Sequence, residues 1–308
     1  MSAASWNQLT ICVFHSRYQT GHRNNGSSMS AGDSKAAWTL ARDWLPAGQR
    51  PSVSVVIPTI NEAANLPHVL PRIPLWVDEV ILVDSHSTDE TIAVAKQLLP
   101  DVVVLEQARL GKGAALRSGF VAARGDIIIT LDADGSTDPA EIPAFVGALL
   151  AGADFVKGSR FAQGGGTDDM EWYRWLGNWG LLQLVRWRFG GRFTDLCYGY
   201  NAFWRHVLGY MDLSNSSGFE IETSMNIQAL RAGLTVREVA SLELRRLNGS
   251  SKLRSIPDGL RVLRTIARLG SSKPRRVVSS RARAQAFNPA AVGGRQQSAV
   301  PSRSIAID

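Results

Sequence analysis

GDIIITLDADGSTDPAE, residues 125–141, decides how this chain is read. From Ile127 to Thr130 every residue is β-branched, and Leu131 extends the run without any polar alternation, as expected of a strand buried on both faces. The run stops at Asp132, Ala133 and Asp134, followed by the polar turn Gly135-Ser136-Thr137. Asp138, Pro139 and Glu141 then have the spacing of a helix cap, a first-turn proline and a third-position acid. Two carboxylates two residues apart at a strand end can share one hard divalent cation, Mg2+ or Mn2+, which takes oxygen ligands and bridges to substrate phosphates. The competing reading of the same triplet is one aspartate capping the next helix and one simply solvated.

Working outward, similar runs recur at Val53–Ile57, Val80–Val83, Val102–Leu105 and Phe155–Val156, separated by segments of helical length. Strands alternating with helices predict an α/β fold, a mostly parallel central sheet with helices on both faces in a single domain. Ser87 and Glu90 have capping-box spacing for a helix over Thr88–Leu99, which Pro100 stops. A Gly-rich loop at Gly164–Gly166 precedes a stretch with Trp172, Trp175, Trp179 and Trp187 at near-helical spacing. A last strand near Thr235–Leu244 and a last helix near Ile256–Leu269 close the pattern, which has no internal repeat. Residues 1–50 and 271–308 lack sustained periodicity and read as a flexible N-terminal extension and a disordered basic C-terminal tail around a domain over 51–270.

The formal charge of +7 invites a nucleic-acid reading, so its distribution matters. Residues 1–50 hold five basic and two acidic side chains, and 270–308 hold seven and one. The 34 basic and 27 acidic residues of the chain therefore leave 22 against 24 for the body, a net charge of −2. A near-neutral body lacks the basic groove that would neutralise phosphates, so no nucleic-acid partner is expected. Cys12 and Cys197 are the only cysteines, too few for a disulfide framework or a cysteine metal site, and a reducing cytoplasm is the default setting. No apolar run approaches the ~18 residues of a membrane span, so no transmembrane segment is expected.

In parallel sheets ligands sit at the carboxyl ends of the strands. Asp84 ends the strand Val80–Val83, where an acid can accept hydrogen bonds from a base or ribose, or else close a turn. Gly111-Lys112-Gly113 opens a helix, and such glycines let backbone N–H groups approach a phosphate while Lys112 adds charge. Close packing of the helix entry on the sheet explains the same glycines. The order of residues is not that of a Walker loop.

Taken in order, these pieces resemble the family-two inverting glycosyltransferases with a GT-A (Rossmann-like) fold, in the branch of dolichol-phosphate mannosyltransferases and polyprenyl-phosphate glycosyltransferases. The resemblance runs from about Val53 to Leu253 through VSVVIPTINEAANL from Val53, VILVDSHSTDET from Val80 and GKGAALRSGFVAARGDIIITLDADGSTDP from Gly111. It continues in VKGSRF from Val156, TDLCYGYNAF from Thr194, GFEIET from Gly218 and RLNGSSKL from Arg246. It implies that Pro58, Thr59, Asn61 and Glu62 form the loop for a nucleoside-diphosphate sugar, with Asp84 on the base and Asp132 and Asp134 on the metal and diphosphate. Arg160 matches a position beside the diphosphate, Asp195 an acid near the acceptor, and Arg246 and Lys252 a basic pair associated with phosphates. Three departures stand out. Asp84-Ser85-His86-Ser87 replaces the usual Asp-Asp-Gly-Ser, Ser136 stands where that branch often has glutamine, and the membrane helices that follow many relatives' catalytic domains are missing.

The resemblance implies inverting transfer, in which an acceptor oxygen attacks the anomeric carbon opposite the departing diphosphate. A lipid phosphate acceptor of the polyprenyl type is already anionic, whereas a saccharide or small-molecule hydroxyl needs Asp195 or Glu222 to take its proton. Glu222 reads equally as a structural acid. Arg261, Arg264 and Arg268 lie at helical spacing beside Ile256, Leu260, Leu263 and Ile266, which suits a peripheral helix on the cytoplasmic membrane face or an ordinary helix packed on the sheet. A sugar nucleotidyltransferase would need a basic Gly-rich loop where Pro58-Thr59-Ile60-Asn61-Glu62 stands. A non-catalytic nucleotide or RNA-binding module would place acids where its ligand's anion sits.

Overall fold

The computed structural model describes residues 50–107 and 111–272. The expectations for the N-terminal extension, the C-terminal tail and Cys12 lie outside the described residues.

The elements follow the expected alternation. In chain order they are β1 (Val53–Thr59), a one-turn helix α1 (Leu66–Val69), β2 (Glu79–Asp84), α2 (Thr91–Leu98), β3 (Val103–Glu106) and α3 (Lys112–Ala122). Next come β4 (Ile127–Thr130), α4 (Ile142–Leu150), β5 (Phe155–Ser159), β6 (Gly166–Thr167) and α5 (Trp172–Phe189). The chain continues through β7 (Asn201–Trp204), α6 (Glu220–Ala232), β8 (Val236–Ala240), β9 (Leu242–Glu243) and α7 (Ser255–Ser271). Seven strands form one sheet in the order β3-β2-β1-β4-β7-β5-β8, and β6 pairs with β9 in a separate parallel ribbon.

Apolar side chains alternate along β1 because successive strand residues face opposite ways. Val55 and Ile57 pack with Leu66, Leu82, Ile129 and Phe145 on one face, while Val56 packs with Ile81, Val83, Leu116 and Phe120 on the other. Burial on both faces is why β1, β2 and β4 read as continuous apolar runs, whereas the edge strands β3 and β8 are partly exposed. A third cluster, with Leu182, Val185, Ile227, Val262 and Ile266, joins α5, α6 and α7.

Three details differ from the sequence reading. β7 was not anticipated; it lies antiparallel between β4 and β5, pairing Ile129 with Ala202 and Val156 with Ala202. Asn-Ala-Phe-Trp carries no β-branched residue and is too short a run to stand out, and pairing with strands on both sides fixes it as one. The helix expected from Thr88 begins at Thr91, because the Ser87 hydroxyl donates to Asp84 Oδ1 (2.5 Å) instead of capping. The Thr91 N–H is taken by Asp89 Oδ1 at 3.1 Å. The last strand is broken into β8 and β9 at Ser241, whose N–H still bonds Ser159 O at 3.0 Å. The cap at Asp138 holds: its Oδ1 accepts the Ala140 N–H at 2.8 Å, heading a 3-10 turn over Pro139–Glu141 that runs into α4.

Candidate functional site

The carboxyl ends of β1, β2 and β4 lie side by side, so the loops that leave them meet. Pro58 costs the ladder nothing, because the β1–β4 pairing ends at Val56 and Thr130 and its missing N–H faces beyond that end. After Thr59 the chain turns through Asn61 at φ 53°, a left-handed conformation that asparagine tolerates. Asn61 is locked to the β2 loop: its N–H donates to Ser87 Oγ (2.8 Å) and its Oδ1 accepts the Thr88 N–H (2.7 Å). Asp84 is 1% exposed. Its oxygens accept the Ser87 N–H (2.8 Å) and hydroxyl (2.5 Å), with Thr59 Oγ1 at 3.3 Å. Here Asp84 closes the turn that shapes the loop.

Asp132 leaves β4 and meets Lys112 Nζ at 2.7 Å, and the same ammonium is 2.8 Å from Glu222 Oε1 on α6. The lysine bridges two acids and so does not stand free. Burial pushes the Glu222 carboxyl up, and although Lys112 pulls it back the result remains above the ordinary range. Burial works against the charge on Lys112, yet Asp132 and Glu222 overcome it and hold the ammonium protonated. Gly199 lies against this triad: a Cβ there would stand 2.6 Å from Lys112 Nζ and 2.9 Å from both Asp132 Oδ2 and Glu222 Oε1.

Asp134 is bound on both sides. Oδ1 accepts the Ser136 N–H (2.9 Å) and hydroxyl (2.6 Å), and Oδ2 holds Arg246 Nη2 at 2.5 Å. Arg246 Nη1 reaches Glu62 Oε1 at 3.5 Å, where Lys252 Nζ sits at 3.0 Å. The 245–252 segment thus folds over the turn, with Leu247 against Gly135 and its N–H on Asp134 O at 3.3 Å. Among the described residues no three of His, Cys, Asp and Glu converge into a metal cage. Asp134 nevertheless fits a hard cation. It offers carboxylate oxygen, it already attracts a positive group, and a diphosphate could complete the shell.

Arg160 follows β5 and Asp195 precedes β7. Nε donates to Asp195 Oδ2 (2.6 Å) and Nη2 to Oδ1 (3.0 Å), a bidentate pair with side chains 3% and 0% exposed. Nη1 lies 3.1 Å from both oxygens of Glu243, and the guanidinium stacks 5.0 Å from the Tyr198 ring centroid. Burial alone would raise the Asp195 carboxyl, but Arg160 outweighs it and the acid is held below the usual range. Both Asp195 oxygens are engaged, so it orients Arg160 and is poorly placed to take a proton.

The sequence reading missed Lys157, Gly199 and Glu243. Lys157 is fully buried, and Nζ donates to Tyr198 O at 2.8 Å beneath the segment that carries Asp195. Burial lowers its pKa, although Asp195, Glu222 and Glu238 pull the other way. A lysine directly after the apolar pair Phe155–Val156 was a visible signal. Glu243 carries none, because its role comes from the ribbon that brings β9 to Arg160.

Residues 54–208 match the model of "Glycosyl transferase family 2". The chain is 34% identical over 222 residues to the polyprenol monophosphomannose synthase of Mycolicibacterium smegmatis, covering 68% of this chain and 84% of that protein. It is 33% identical over 212 residues to the undecaprenyl-phosphate mannosyltransferase of Micrococcus luteus, covering 65% and 87%. A similar solved structure is the glucosyl-3-phosphoglycerate synthase of Mycobacterium tuberculosis in complex with Mg2+ and uridine diphosphate, with a TM-score of 0.57, 25% identity and coverage of 80% and 85%. Matched by the family model over half its length, and aligned with these relatives over most of theirs, the protein is a member of glycosyl transferase family 2, a glycosyltransferase of GT-A fold.

Proposed function

We propose that this glycosyltransferase moves a sugar, with inversion, from a nucleoside-diphosphate donor to a polyprenyl phosphate. The observation that carries the reading is the alternation of acids and cations at the carboxyl ends of the strands, where Glu62, Asp132 and Asp134 face Lys112, Arg246 and Lys252. Such a site has the groups to hold a metal–diphosphate pair and to compensate charge as the diphosphate leaves. The relatives' names supply the acceptor class.

Asp134, with Asp132 beside it, would hold Mg2+ or Mn2+, as the Mg2+ and uridine diphosphate bound by the solved relative supports. When bound, the ion supplies a Lewis acid for the leaving diphosphate. The loop from Pro58 to Glu62, shaped by Asp84, takes the nucleoside. Lys112 holds Asp132 in place, and Gly199 leaves the space that lets it do so. Arg160, buried and charge-compensated by Asp195 and Glu243, would shape the diphosphate side of the site, while Arg246 and Lys252, paired here with Asp134 and Glu62, would turn to phosphate groups as these arrive. A phosphate acceptor needs no base, which agrees with an Asp195 whose oxygens are spoken for.

The membrane side of the reading rests on α5 and α7. Trp172 is 76% exposed, Trp187 81% and Ile256 78%, with arginines interleaved. Aromatic and basic residues together suit an interface with lipid. No helix among the described residues is long and apolar enough to cross a membrane, so peripheral attachment at the cytoplasmic face fits an acceptor whose chain is buried in the bilayer.

A second reading, transfer to a saccharide or small-molecule hydroxyl, is favoured by one observation. Glu222 is buried with its pKa raised, a state suited to accepting a proton. Thermal-shift titration with GDP-, UDP- and dTDP-sugars, each with Mg2+ or Mn2+, identifies the donor. Incubation with polyprenyl phosphate then tests the acceptor. Asp134→Ala is expected to cut turnover to below about one hundredth while leaving Tm within a few degrees; turnover near the unaltered rate would remove Asp134 from the reaction.

A further inference from the structure

Away from the acids described above, a cavity of ≈ 370 Å³ opens between α7 and the loop that enters α6. Its walls are Asn215, Glu220, Arg261, Arg264, Thr265 and Arg268. Along α7 the three arginines fall at i, i+3 and i+7, one stripe of the helix, bordered by the exposed Leu260 and Leu263. Arg261 is neutralised by Asp258, with Nη1 3.1 Å from Oδ1. Arg268 Nη1 only brushes the Asn215 carbonyl at 3.3 Å, and Arg264 has no ion-pair partner among the described residues. Two guanidinium groups therefore face the cavity uncompensated from their own helix.

The floor adds a second, independent feature. Glu220 is 5% exposed. Its Oε1 is spent on the Ser217 and Gly218 N–H groups, both at 2.9 Å. Oε2 is buried with no hydrogen-bond partner among the described residues, a costly state for a carboxylate oxygen unless something donates to it. Gly218 leaves room beside it, for a Cβ there would lie 2.6 Å from Oε2 and 3.1 Å from Arg261 Nη1. Two residues apart on a helix point about 200° apart, so Glu220 and Glu222 serve opposite sides of the α6 entry, and this cavity is separate from the Lys112–Asp132–Glu222 cluster.

We infer that this cavity is a binding site for a phosphodiester carrying a neighbouring hydroxyl, such as a glycerol-type headgroup. The phosphate lies against Arg264 and Arg268, and the hydroxyl donates to Glu220 Oε2. With Arg261 paired to Asp258, the two free arginines and Glu220 leave one net positive charge, which matches a monoanion. A bare anion would leave the glutamate unsatisfied and repelled, and a sugar without phosphate would leave the arginines unused. The site does not depend on the proposed reaction, since it uses none of the residues placed there. It abuts the reaction site all the same: the Ser216–Gly218 loop, which joins its lining residues Asn215 and Glu220, also receives Gly111 and Gly113, at the start of the helix that carries Lys112.

One headgroup chemistry has two sources, a lipid and a free phosphodiester, and the test separates them. The full-length protein is titrated calorimetrically with glycerophosphoglycerol. It is also sedimented with vesicles of phosphatidylcholine alone or of phosphatidylcholine with phosphatidylglycerol. Saturable binding of the soluble diester assigns the site to a free ligand, and retention only on phosphatidylglycerol vesicles assigns it to a lipid. In either case Arg264→Ala with Arg268→Ala, both on the exposed side of α7, is expected to weaken binding about tenfold or more. Arg124→Ala with Arg237→Ala removes the same charge from elsewhere on the surface and is expected to leave binding within about twofold. Glu220→Gln, checked for an unchanged Tm, should abolish the preference for glycerophosphoglycerol over dimethyl phosphate, which lacks the hydroxyl. No saturable binding in either arm, an equal loss in the control pair, or a preference untouched by Glu220→Gln overturns the assignment.

Discussion

Arg160 and Asp195 show what a buried charge demands of its neighbours. The pair is bidentate and almost wholly out of water, so removing one member strands the other. Arg160→Ala should cost about 3–5 kcal/mol in chemical unfolding, the range for orphaning a buried partner, and Arg160→Lys less, since an ammonium keeps the charge but loses the fork. The acid holds its proton less tightly folded than unfolded. As pH falls below about 4 the unfolded chain takes up the proton first, so the pair's contribution is full at neutral pH and is lost on acidification. An acid titration of unfolding free energy reads this directly. Two residues on, Cys197 is half-buried and its thiol is pushed up to about 12 by burial, then by Asp195 and Glu222. Iodoacetamide at mildly alkaline pH should therefore leave Cys197 unmodified until denaturant is added, with peptide mass spectrometry as the measurement. At this scale Arg160 came only through the family resemblance, whereas the sequence itself placed Asp84, Asp132 and Asp134 at strand ends. It was silent where a role arises from chain crossing. Nothing in Lys112 taken alone indicates that it would be clamped between Asp132 and Glu222, because that partnership exists only once α3 and α6 are packed together.

Among the elements, α3 shows how closely helix and sheet must approach. A Cβ on Gly119 would stand 2.3 Å from Val56 Cγ1 and 3.1 Å from Val83 Cγ2, so the helix lies on β1 and β2 with no room for a methyl group. Gly119→Ala should destabilise by about 1–3 kcal/mol through overpacking despite its better helix propensity, and a denaturant midpoint measures it. Of the two readings of the Gly111–Gly113 segment, close packing is the one the structure addresses, against the 216–218 loop and not the sheet: a Cβ on Gly113 would stand 2.5 Å from Ser216 O. The central parallel strands β1, β2 and β4 were legible because burial on two faces writes itself as nearly uninterrupted apolar runs. β7 was not, since its strand character is imposed by β4 and β5. The capping box at Ser87 misled for a related reason: the same spacing serves a turn when an acid such as Asp84 lies closer than the helix.

Across the whole molecule, the described body closes on itself: α7 packs against α5 and α6, and Arg231 reaches Ser272 at its end. A chain ending at Ser272 is therefore expected to keep its transfer rate and Tm, measured with the donor that the titrations identify, whereas an RNA-binding function seated in the basic tail would vanish with it. The near-neutral body inferred from charge counting is consistent with an interior in which acids and bases are matched locally. That matching has a kinetic meaning at Asp134, whose outer oxygen is already claimed by Arg246. A solitary cation must evict a guanidinium and leave it only Glu62, which Lys252 already shares, whereas a cation arriving with its nucleotide brings phosphates on which the displaced arginine can settle. Calorimetry with Mn2+ alone should accordingly register feeble binding that strengthens sharply once nucleotide is present, so that neither guest is admitted readily without the other.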